Sequence, residues 1–182
     1  MRRLTNLEYL LLGLLHQSPA SGYALRKSFA TTPLGHYSDS PGSIYPALNR
    51  LRRRNLLQPL PHQPSSGRRT LLFSLTARGL AELRSWLQHP VALEEVRQDA
   101  GGVMLRFVFC AQVFGQGSAR RLVLQIAARA NEIILDLESY LRGPGKSLPL
   151  TGRLALEQGL EGYRALARWA SRAAKDLKGS ST

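Results

Sequence analysis

The stretch SerIleTyrProAlaLeuAsnArgLeuArgArgArgAsn, residues 43–55, decides the fold. Pro46 looks wrong for a helix interior. With Ser43 as the N-cap, however, it falls at the third helical position. Its missing N–H has no intrahelical acceptor there, so the absence costs little. Asn55 tolerates the left-handed conformation that closes a helix. The spacing therefore predicts a helix over residues 43–54. With Ile44 at the centre of one face and about 100° per residue, Ala47, Leu48 and Leu51 lie within about 60° of it and form a core-facing stripe. Tyr45, Asn49 and Arg53 fall at about 100°, 140° and 180°, and Arg50 at about −120°. The outward face thus carries a phenol, an amide and two guanidiniums, flanked by Arg52 and Arg54.

Upstream, Thr5 and Glu8 have the spacing of a capping box for a helix that runs to about His16. Leu7, Leu11, Leu14 and Leu15 form its apolar stripe. GlnSerProAlaSerGly then breaks the chain, and a second helix is expected from about Ser21 to Phe29. Downstream, residues 56–60 and 70–75 read as two strands of a hairpin whose loop ends in Arg68 and Arg69. LeuThrAlaArgGly (75–79) opens another helix, with Thr76 as N-cap, reaching about Gln88. Three helices, two strands and a helix make the order of a winged helix-turn-helix. A boundary is expected near His89–Pro90. The remainder reads as helices over about 92–114 (interrupted at Gly101–Gly102), 118–141 and 151–177. The expected fold is mainly α with a small β-hairpin. A winged helix-turn-helix DNA-binding domain over 1–89 precedes an α-helical dimerisation domain over 90–182.

Charge points to the partner. The 182 residues hold 25 Lys and Arg against 12 Asp and Glu, a net charge of +13. Residues 1–89 carry twelve of the basic residues but three of the acidic ones. Such a balance suits a polyanion, either nucleic acid or an anionic membrane face. No apolar run approaches the roughly 18 residues of a membrane span. The N-terminus lacks a secretory pattern, so the expected compartment is the cytoplasm. Cys110 is the sole cysteine, which excludes an internal disulfide and a multi-thiolate zinc site. It lies in an apolar run and reads as a small core residue. The four histidines show no ligand spacing, and neither metal nor cofactor is expected. No nucleophile–base pairing or phosphate-cradling glycine loop points to an enzyme.

SerGlyTyrAlaLeu (21–25), GlySerIleTyrProAlaLeuAsnArgLeu (42–51), the Leu56–Leu57 pair and LeuThrAlaArgGly (75–79) together resemble the PadR family of bacterial transcriptional regulators. The helix containing residues 158–169 looks like the closing helix of that family's longer branch. Asn55 stands where the family usually has Gly, Phe73 where Tyr is common, and Ala165 and Ala170 where larger or charged residues are expected. A helix of this size fits the major groove, where Arg50 or Arg53 suits guanine O6 and N7 and Asn49 suits adenine N6 and N7. Ser43 and Tyr45 sit where phosphate or a base edge is within reach. Arg68 and Arg69 suit the adjacent minor groove or its phosphates. The resemblance supports contact roles for Tyr23, Ser43, Tyr45, Asn49 and the basic wing. The plainer readings are that Tyr23 is a core residue, that Tyr45 packs with its hydroxyl bonded locally, and that the amide and guanidiniums are merely solvated.

One winged unit seldom binds strongly enough to regulate, and two-fold dimers reading half-sites about one turn apart are the usual solution. The broad apolar face of the last helix suits such a homodimer; otherwise it completes a monomer core. The resemblance further implies a small aromatic or lipophilic effector, with Trp86, Phe107, Tyr163 and Trp169 as candidate liners that otherwise serve as core. The expectation is a homodimeric repressor on an inverted-repeat operator in double-stranded DNA. The alternative is a winged-helix module that binds protein and not DNA, against which the four arginines of residues 50–54 argue.

Overall fold

The computed structural model describes residues 3–31, 41–62 and 70–179, which form two compact units, Met1–Gln88 and His89–Thr182. In the first unit, helix α1 (Asn6–Gln17) starts on the expected capping box. The Thr5 hydroxyl accepts from the Glu8 N–H at 3.3 Å, and the Glu8 carboxylate accepts from the Thr5 N–H at 2.9 Å. The apolar stripe expected for this helix is too narrow. Leu10, Leu11 and Leu12 are all fully buried, so α1 is the central rod of the unit rather than a half-exposed surface helix.

Strand β1 (Ala20–Ser21) follows, then helix α2 (Gly22–Thr31), α3 (Ile44–Arg53), strands β2 (Leu57–His62) and β3 (Thr70–Leu75), and α4 (Ala77–Gln88). The expected two-stranded hairpin is part of a three-stranded antiparallel sheet in the order β1-β3-β2. Ala20 and Ser21 pair with Phe73 and Leu72. Strand β2 lies at an edge, which is where Pro59 and Pro61 cost no ladder bond that a central strand would need. Trp86 of α4 stacks on Tyr9 of α1, with ring centroids 4.2 Å apart and planes 5° from parallel. The Tyr9 hydroxyl donates to Glu82 at 3.2 Å. Burial and that carboxylate push the phenol up to about 12.

Two turns fix α3 against its neighbours. Asn55 has φ 56°, the left-handed conformation expected of it. The Leu56 N–H then reaches the Leu51 carbonyl at 3.0 Å and the Asn55 N–H reaches Arg52 at 2.9 Å, closing the helix. Thr76 caps α4 as expected, its hydroxyl accepting from the Gly79 N–H at 3.0 Å. The same hydroxyl donates to the Asn55 carbonyl at 2.7 Å, tying the start of α4 to the end of α3.

The second unit is built of helices: α5 (Leu93–Gln98), α6 (Ala100–Phe114), α7 (Gln116–Arg142) and α8 (Leu150–Gly179), with a 3-10 turn (Pro144–Ser147) between the last two. The interruption expected at Gly101–Gly102 falls instead at Asp99, whose backbone leaves the helical region and whose side chain accepts from the Gly102 N–H at 2.9 Å. An aspartate competes with the helix for its own amides more effectively than a Gly pair weakens it. Arg106, fully buried, pairs with Glu95 at 3.1 Å and joins α6 to α5. Helices α7 and α8 are antiparallel. Arg120 donates to the Ala174 carbonyl at 3.1 Å, and Arg164 pairs with Glu138 at 2.6 Å. Val103, Cys110, Leu122, Ile126, Ile133, Ala170 and Ala174 share the core. Burial pushes the Cys110 thiol up, in keeping with a packing role. Among the described residues no helix is long and apolar enough to cross a membrane.

Candidate nucleic-acid interface

The core face of α3 is as the helical spacing requires: Ile44, Ala47, Leu48 and Leu51 are all buried. That burial fixes the roll of the helix about its axis and so fixes what faces out. Tyr45 is 46% exposed, and Asn49, Arg52 and Arg53 are exposed. Helix α2 packs across the start of α3. A side chain at Gly22 would place its Cβ 2.7 Å from Tyr45 Cε1, so the glycine leaves room for the Tyr45 ring where it lies against α2. Tyr23, one residue on, is 62% exposed, which rules out its reading as a core residue. The Arg26 guanidinium lies 5.8 Å from the Tyr23 ring centre, within cation–π range. Nothing in the composition marks Arg26; its i, i+3 spacing from Tyr23 on one helix face is the signal that finds it.

Two expected residues differ from their sequence reading. Ser43 holds the N-cap position of α3 but makes no capping bond through its side chain. The chain enters α3 from a 3-10 turn (Pro41–Ser43), leaving Ser43 with helical backbone (φ −75°, ψ −18°). A hydroxyl caps from extended backbone, not from this one. Arg50, expected on the outward face, is turned back toward α1. Its Nε donates to Glu8 at 2.7 Å, although 43% of the side chain stays exposed. Glu8 itself is 2% exposed. Burial acts to raise the Glu8 carboxyl, but the Thr5 N–H and the Arg50 guanidinium outweigh it and hold the carboxyl below its ordinary range. Arg68 and Arg69 lie outside the described residues.

The electrostatics are one-sided. From residue 40 to residue 81 the chain carries no Asp or Glu, while Arg50, Arg52, Arg53, Arg54, Arg68, Arg69 and Arg78 fall within it. Among the described residues the carboxylate paired with Arg50 is that of Glu8, delivered from the buried side by α1. An exposed helix face with an amide, a phenol and guanidiniums, in a segment without carboxylates, has the donor set that reads base edges and binds phosphate. Trp86, one of the four aromatics considered for an effector, is engaged by Tyr9 in the first unit. In the second unit Phe107 and Trp169 meet edge to face at 5.4 Å, and Tyr163 packs against the same core.

Residues 11–85 match the family model described as the transcriptional regulator PadR-like family. No curated protein matches the chain. Among solved structures, the chain is similar to Bacillus subtilis PadR in complex with operator DNA. Identity is 22%, with 94% of this chain and 98% of that chain covered and a TM-score of 0.43. A PadR-like transcriptional regulator from Bacillus cereus shares 20% identity, with 97% and 98% covered and a TM-score of 0.44. For Bacillus subtilis PadR in complex with p-coumaric acid, identity is 21%, coverage 95% and 96%, and TM-score 0.42.

Proposed function

The domain spanning residues 11–85 belongs to the PadR-like family of transcriptional regulators, and from that premise we propose that the chain is a homodimeric repressor that grips an inverted-repeat operator with α3 and its basic wing. The observation that carries this reading is the exposed face of Tyr45, Asn49 and Arg53, held outward by a fully buried opposite face. Asn49 and Arg53 read base edges. Tyr45, Tyr23 and Arg26 line the phosphates beside them, and Arg68 and Arg69 meet the neighbouring minor groove. The dimer supplies the second half-site about one turn away. Exposed apolar side chains on the second unit support it: Leu124 and Leu135 fall on one face of α7, and Leu150 and Leu154 are one turn apart at the start of α8. A small aromatic or lipophilic molecule is the effector class the family implies, with Phe107, Tyr163 and Trp169 of the second unit as the side chains it would pack against. Trp86 is committed to Tyr9 and serves the core.

The test is fluorescence anisotropy with the chain's own upstream DNA at several salt concentrations. With about four phosphates neutralised per subunit, log K falls against log salt with a slope near −7. Affinity indifferent to both salt and sequence would reject the reading and favour the protein-binding module.

A further inference from the structure

Resting on the assignment of α3 to the groove, we propose that Glu8 is a positioning residue for DNA contact: acting through Arg50, it fixes the plane of a guanidinium whose outer nitrogens meet a backbone phosphate. Glu8 does more than its cap requires. One oxygen, Oε2, accepts from the Thr5 N–H at 2.9 Å and completes the capping box. For that duty an uncharged Gln would serve as well. The other oxygen, Oε1, reaches across to α3 and takes the Arg50 Nε–H at 2.7 Å, joining residues 42 apart in sequence. Burying a carboxylate is costly unless it is paired and hydrogen-bonded, and here both conditions are met.

The geometry leaves Arg50 half in and half out. Its Nε is committed to the buried carboxylate while 43% of the side chain remains exposed. On the helical wheel Arg50 sits about 60° from Arg53, at the edge of the outward face rather than at its centre. An edge position meets the phosphate wall of a groove before its base floor. A guanidinium already held at Nε also gives up less side-chain freedom when an anion arrives. The carboxylate lowers the net charge of the pair, so its benefit lies in orientation and not in added attraction. That gives the two roles opposite signs. If Glu8 were only a nearby negative charge, removing it would tighten DNA binding. If it positions Arg50, removing it weakens binding.

The experiment measures Kd of the full chain for its upstream DNA in wild type, Glu8→Gln, Arg50→Gln and the double variant. Glu8→Gln is expected to bind about tenfold more weakly, and Arg50→Gln by a similar factor. The double variant should be no weaker than Arg50→Gln alone, because Glu8 acts through that side chain. Unchanged or tighter binding by Glu8→Gln, or losses that simply multiply in the double variant, would overturn the proposal. Should Glu8→Gln melt below the assay temperature, Arg50→Lys decides. It keeps the charge but not the fixed plane and is expected to lose about fivefold; wild-type affinity there overturns the proposal. A wild-type chain that binds no DNA at all would sink the groove assignment itself, and this proposal with it. Normal wild-type binding with an indifferent Glu8→Gln sinks this proposal alone.

Discussion

Replacing Asn49 and Arg53 together by Ala is expected to erase the preference of the chain for its operator over random DNA while leaving its melting temperature nearly unchanged. Both side chains are exposed, and the core face of α3 is made by other residues, so the fold loses little. Each bidentate contact with a base discriminates by about 1–3 kcal/mol. Loss of both removes between about thirtyfold and about twenty-thousandfold of selectivity. Non-specific binding should survive, because Arg52, Arg54 and the wing arginines supply the phosphate attraction. Competition binding against random duplex reads both quantities at once. A folded double variant that keeps full selectivity would show that these residues do not read bases.

The largest expected effect on stability comes from Gly79→Ala. The Thr76 N–H donates to the Leu56 carbonyl at 3.1 Å, which draws the first turn of α4 onto the chain just beyond α3. A Cβ at position 79 would collide with that same Leu56 carbonyl oxygen and come within 3.0 Å of its carbon. The obstacle is backbone, and it cannot retreat without giving up the Thr76 bond and disturbing the Asn55 turn. Overpacking of this kind costs about 3 kcal/mol, which lowers the melting temperature of a unit this size by about 10–20 °C. Differential scanning calorimetry measures it. A melting temperature within about 2 °C of wild type would mean that α4 is not held by this contact.

Local chemistry made much of the first unit legible. Pro46 at the third helical position, Asn55 in left-handed backbone and Thr76 as a cap each act within a few residues, so sequence spacing is enough to place them. The core face of α3 was legible for the same reason, since one helical period determines it. What escaped is non-local or too short to have a period. Strand β1 is two residues, and no alternation is visible in two residues. The tie between Glu8 and Arg50 spans α1 and α3. The capping box had already given Glu8 a sufficient local role, which concealed its second partner. Ser43 looked like a capping hydroxyl because the 3-10 turn that feeds it into α3 leaves no mark in the residues themselves. Two adjacent glycines mask the break at Asp99, although the side-chain acceptor beside them is the stronger competitor for backbone amides.

The exposed strip on α3 meets its most direct test in dimethyl sulfate protection of guanine N7 on the upstream DNA. N7 lies in the major groove and is hidden only by something that enters it. With the full chain bound, two clusters of protected guanines are expected about ten base pairs apart, one for each subunit's α3, and both should disappear with the Asn49→Ala, Arg53→Ala chain. Saturated binding that leaves every guanine N7 as reactive as in free DNA would contradict the account.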